Sequence, residues 1–146
     1  MRKLILGVAL LALVLPAHAD QTINGVKVQR GAKVDIVFFT ADDCKYCAQW
    51  KKESKEDALK WTQGKSVTFH EINKAKIRMP YAPEHFPAAA GFAWEDIKAS
   101  GKTNFMIPRW IVYADQKPVM SVAALRDWSR LLRFAQDVVD ARDGKD

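Results

Sequence analysis

VDIVFFT, from Val34 to Thr40, runs through Ala41-Asp42-Asp43 into Cys44-Lys45-Tyr46-Cys47. The first stretch is rich in β-branched and aromatic residues and nearly continuous in its apolarity, as expected of a strand covered on both faces and central in its sheet. From Ala48 to about Trp61 helix formers dominate and Gly64 closes the run, so the cysteines fall where that strand hands over to a helix. At a helix start, unpaired backbone N–H groups and the helix dipole stabilise an anion on the first sulfur. Cys44 is therefore the expected nucleophile, and Cys47 the residue that resolves its mixed disulfide with a partner.

Other uses of two cysteines fit less well. A loop closed across two residues removes little entropy from the unfolded chain, so the pair makes a poor structural staple. Half a zinc site has the same spacing, but there is no second cysteine pair, and His70 and His85 have no ligand spacing between them. No metal or bound cofactor is expected; the redox couple is the Cys44-Cys47 disulfide itself.

Outward from the cysteines the pattern continues. Val26 and Val28, within Asp20 to Lys33, suggest a short opening strand with turn points at Gly25 and Gly31. Ser66 to Asn73 reads as a second strand, Met79 to Pro87 as a proline-punctuated loop, and Ala88 to Ala99 as a helix ending near Gly101. Arg109 to Tyr113 and Pro118 to Val122 form a hairpin around Ala114-Asp115-Gln116-Lys117. Leu125, Trp128, Leu131, Leu132, Ala135, Val138 and Val139 recur at helical intervals and predict an amphipathic last helix packed on the sheet. This order predicts an α/β fold, a three-layer sandwich around a mixed sheet. Trp50, Trp94, Trp110 and Trp128 are expected in the core, whereas Tyr81, Pro83, Phe86 and Pro87 are candidates for the rim of a partner groove.

The N-terminus carries a second signal. Arg2 and Lys3 precede an apolar run from Leu4 to Leu15 that closes with Ala17-His18-Ala19, which reads as a secretory signal peptide over residues 1–19 with the domain over 20–146. The run of about twelve residues falls short of the roughly twenty that a spanning helix needs. Export favours the periplasm and a domain that is soluble after cleavage. Of the formal charge of +6, two positive charges leave with residues 1–19, so the expected mature domain keeps +4. Lys and Arg are spread along it, which together with export argues against a nucleic-acid partner.

The strand, the C-x-x-C and Ile107-Pro108 ahead of the paired strands RWIVY and PVMSV together resemble the thioredoxin family over nearly all of the expected mature chain. The resemblance implies a thioredoxin-like fold and a thiol-disulfide oxidoreductase acting on protein thiols and disulfides. It also implies a cis peptide bond before Pro108, with Ile107 offering its backbone to the substrate. Tyr46 and Arg109 join Ile107 and Pro108 as candidate substrate contacts.

Three departures stand out. Phe38 occupies the place of a buried carboxylate, leaving His70, Glu71 or water to move protons. Asp42 and Asp43 precede Cys44, opposing a thiolate that Lys45 favours. Arg109 directly follows the proline, where it is expected either beside the cysteines or paired with Asp42 or Asp43. The inner Lys-Tyr leaves direction open: Tyr before the second cysteine resembles glutaredoxins and Dsb-type isomerases, while Ile before the proline resembles reducing thioredoxins. The expectation is a periplasmic reductase rearmed by a membrane-bound electron donor. The alternatives are a small oxidase or isomerase, or a non-catalytic binding or copper-handling module using the cysteines with Met79 or Met106.

Overall fold

The computed structural model describes residues 20–124 and 128–145. The signal-peptide segment 1–19, with its cleavage site, and Leu125, Arg126 and Asp127 of the last helical pattern lie outside them. The chain opens with a hairpin of β1 (Gln21–Ile23) and β2 (Val26–Val28), a two-stranded sheet of its own. Asn24 and Gly25 both take positive φ at its turn, as a two-residue hairpin loop with right-handed strand twist requires. The single opening strand expected from Val26 and Val28 is thus a pair.

The main sheet has the order β4-β3-β5-β6, formed by β3 (Val34–Ala41), β4 (Thr68–Lys74), β5 (Arg109–Ala114) and β6 (Lys117–Ala123). β3 pairs parallel with β4 and antiparallel with β5, so the sheet is mixed. Every residue of β3 is buried, which is why its apolarity does not alternate. Pro118 is tolerated because β6 is an edge strand, where a missing N–H breaks no internal ladder.

Strand parity sorts the core into two halves. On one face Phe38 stacks on Trp110 at 4.9 Å between ring centres and lies 4.5 Å from Trp50. Trp50 belongs to α1 (Lys45–Glu53) and meets Trp128 of α4 (Trp128–Asp143) edge-on at 5.6 Å. On the other face Phe39 meets Tyr81 and Phe105 edge-on, and α3 (Gly91–Ala99) places Phe92 against Tyr113. Helices on both faces of the sheet complete three layers. Trp50, Trp110 and Trp128 are buried as expected, and Trp94 is partly buried against Phe86.

The helix expected from Ala48 to Trp61 is two helices. Cys44 caps α1, and the chain leaves helical geometry at Ser54 (φ −131°, ψ −16°) before α2 (Lys55–Gly64) begins. No Gly or Pro marks that break. The stretch 79–87 is a loop as expected, with one 3-10 turn at Pro83–His85, but its groove-rim reading is corrected in part: Tyr81 is buried, donating its hydroxyl to the Thr40 carbonyl at 3.0 Å, and Phe86 packs against the core. A buried tyrosine needs a partner for its O–H, and the end of β3 supplies one. Tyr81 is not a groove rim.

Candidate active site

Cys44 and Cys47 are joined as a disulfide with a Cα–Cα distance of 5.2 Å. Cys44 is the N-cap of α1 in extended geometry, and its Sγ accepts the backbone N–H of Cys47 at 3.2 Å. A helix cap is ordinarily an oxygen acceptor; here sulfur takes the role, so negative charge on Cys44 is met by a donor already in place. The first turn of α1 contains no acidic residue. Both cysteines are nevertheless almost fully covered, Cys44 at 2% exposure and Cys47 at 0%.

Strand direction gathers the other candidates to the same end of the sheet. The C-terminal ends of parallel β3 and β4 and the N-terminal end of antiparallel β5 all lie there, and Ile107-Pro108 immediately precedes β5. The Ile107-Pro108 peptide bond is cis. Ile107 and Pro108 are buried, while Met106 just before them is 65% exposed. Tyr46, inside the cysteine motif, is 47% exposed with the Lys45 amino group 5.0 Å from its ring centre.

Arg109 takes neither expected position. It sits opposite Phe39 in the register and on the same face, the one that α3 covers, with its guanidinium 5.0 Å from the ring centre of Phe105. It donates from Nη1 to Ser121 Oγ at 2.7 Å and from Nε to the Met106 carbonyl at 3.3 Å. Burial depresses its pKa. The aspartates have other partners: Asp42 Oδ1 accepts from Asn73 Nδ2 and Asp43 Oδ1 from the Ile77 backbone N–H, both at 2.7 Å. Their carboxylates pin the turn before Cys44 to the end of β4 and the loop that follows it.

The suggested proton carriers are also reassigned. His70 lies on the α3 face with Nε2 2.8 Å from Asp35 Oδ1, edge-on to Phe92. Glu71 accepts from Lys51 and Lys55, each at 2.6 Å. Burial works to raise the Glu71 pKa, but the two lysines outweigh it and hold the carboxyl below its ordinary value. His85 Nδ1 accepts the Ala82 backbone N–H, so this histidine too has a local structural partner.

Sequence reading passed over one group at this end, Lys74, a buried lysine at the last position of β4. The alternation His70, Ile72, Lys74 places it on the core face, and that period-two signal was present in the sequence.

No protein-family model matches the chain, and no curated protein matches it in sequence. Solved structures do. A thioredoxin of Malassezia sympodialis (Mala s 13) is similar with a TM-score of 0.51 at 16% identity, covering 77% of this chain and 80% of that one. The periplasmic thioredoxin SoxS of Paracoccus pantotrophus, in reduced form, gives a TM-score of 0.49 at 12% identity over 75% of this chain and 98% of its own. Thioredoxin f from spinach chloroplast gives 0.49 at 15% identity, with 74% and 78% covered. The fold is thioredoxin-like, and the disulfide stands at the strand-to-helix junction of that fold.

Proposed function

We propose that the chain is an exported thiol-disulfide oxidoreductase that reduces disulfides of partner proteins in the periplasm. The observation that carries this reading is the Cys44-Cys47 disulfide capping α1, its first sulfur already accepting a helix N–H. In the reduced protein the Cys44 thiolate attacks one sulfur of the partner disulfide, forming a mixed disulfide and releasing the other partner sulfur as thiolate. Cys47, deprotonated, then attacks Cys44 Sγ, re-forms the internal disulfide and releases the second partner thiolate. The partner gains two electrons and the chain loses two. A membrane-bound donor restores the dithiol in this reading.

Proton transfer in this cycle falls to water and the partner thiols, because Phe38 stands in an aromatic cluster and Glu71 is held ionised by two lysines. Substrates of protein size are favoured by the distribution of exposed apolar side chains. Among the described residues the large ones are Tyr46, Ile77, Met79 and Met106. All belong to the three segments that meet at the disulfide end of the sheet, where they offer an adaptable apolar contact around a sulfur otherwise covered. Export rests on the pattern of residues 1–19.

The test is insulin reduction driven by dithiothreitol, with the cysteine-to-serine variants as controls. Catalysis that disappears when either cysteine is replaced supports the reading; a pair that exchanges with neither insulin nor glutathione defeats it.

A further inference from the structure

Lys74 is 1% exposed, and the carboxylate that acts on its amino group, Asp43, does so through space without a direct ion pair. It donates instead to the Met79 carbonyl and, at 3.1 Å, to Asn104 Oδ1, and lies 4.3 Å from the ring centre of Tyr81. Its own backbone carbonyl accepts the Asp42 N–H at 3.0 Å. Burying an amino group costs several kcal/mol unless acceptors replace water. The two acceptors belong to segments 25 positions apart, 78–81 and 103–106, and Lys74 is the charged group that both of them meet.

Each segment leads to the disulfide end. Tyr81 donates its hydroxyl to Thr40 and its N–H to the Thr103 carbonyl at 2.7 Å, and Asn104 Nδ2 donates to the Arg78 carbonyl at 3.2 Å. Arg109 holds Met106 from the other side. Residues 103–106, which deliver Ile107 to its place, are thus fastened to the end of β4 at Asn104 and to the end of β3 through Tyr81.

We propose that Lys74 is a positioning residue for substrate: its amino group clasps the 78–81 loop and the 103–106 segment together, keeping the peptide-binding edge at Met106 and Ile107 assembled before a partner arrives. The proposal rests on the oxidoreductase reading above and names the residue that prepares its binding edge. A protein disulfide needs that edge, whereas a small aromatic disulfide needs only the sulfur.

The test compares Lys74→Met and Lys74→Arg in the purified protein on insulin and on 5,5′-dithiobis(2-nitrobenzoate). Lys74→Met is expected to lower kcat/KM on insulin about tenfold, mostly through KM, with the small disulfide within about twofold and Lys74→Arg restoring most of the loss. Equal losses on both substrates, or none on insulin, would overturn it. If Lys74→Met does not fold, Asn104→Ala removes one arm of the clasp and is expected to cost about threefold on insulin alone. Should the parent protein turn over neither disulfide, the oxidoreductase reading fails, and amide exchange then decides the clasp. Exchange at the Tyr81 amide, whose N–H the Thr103 carbonyl holds, about tenfold faster in Lys74→Met, with β3 unchanged, supports it, and unaltered exchange refutes it.

Discussion

At the scale of single residues, Cys44 and Cys47 divide one reaction between them. Cys44 caps the helix and Cys47, at 0% exposure, lies within its first turn. After reduction, iodoacetamide should label Cys44 faster than Cys47, and Cys47→Ser should accumulate a mixed disulfide with its substrate that non-reducing gels detect. Faster labelling of Cys47 would reverse the assignment. Glu71 is the residue whose titration reaches stability. Its folded pKa lies below the ordinary 4.5, so its contribution is fully present above that value and is lost as pH falls through the folded one. Glu71→Gln should therefore cost about 1 kcal/mol at neutral pH, discounted for the partial exposure of its lysine partners, and the cost should shrink as pH falls below the ordinary carboxylate range and through the folded pKa. Urea unfolding of both proteins across that range checks it; a deficit independent of pH would mean the ion pairs contribute nothing.

At the scale of elements, the sequence carried most of the order because burial leaves a periodic trace. The nearly continuous apolarity of Val34 to Thr40 marked β3 as central, and the hairpin residues Ala114 to Lys117 marked β5 and β6. What escaped has a common cause: partners supplied by distant segments. Asp42 and Asp43 meet Asn73 and Ile77, and Tyr81 meets Thr40; the break at Ser54 is a separate, local case that no residue type announces. Arg109 was readable in principle, since its parity with Phe39 across the ladder sets its face. The β5–β6 turn makes a prediction of its own. Asp115 (φ 47°) and Gln116 (φ 64°) both occupy the left-handed region without being glycine. Asp115 also accepts the Lys33 N–H at 2.9 Å, so only Gln116 is free to change. Gln116→Gly should raise stability by about 0.5–1 kcal/mol, read as a higher urea midpoint at unchanged slope. A lower midpoint would mean that the glycine's unfolded-state entropy outweighs the relief.

For the whole molecule, redox direction and folding stability are one quantity measured in two ways. The fold changes the potential of the pair by as much as it stabilises the oxidised over the reduced form. Several features of this chain act on that balance. The Cys47 N–H and the cap position favour a Cys44 thiolate. Near-complete covering of both sulfurs penalises that charge, as do two aspartates immediately before Cys44. A neutral disulfide carries none of these penalties, so the oxidised form should be the more stable one and the potential should lie near the thioredoxin value of about −270 mV. A strong oxidant would sit near −120 mV, a gap of roughly 7 kcal/mol at about 1.4 kcal/mol per 30 mV, large enough to invert the order of the two unfolding curves. Titration against dithiothreitol, with urea unfolding of the oxidised and reduced protein, measures both sides of the cycle. A reduced form that outlasts the oxidised one would make the chain an oxidase, with the helix N-terminus prevailing over burial.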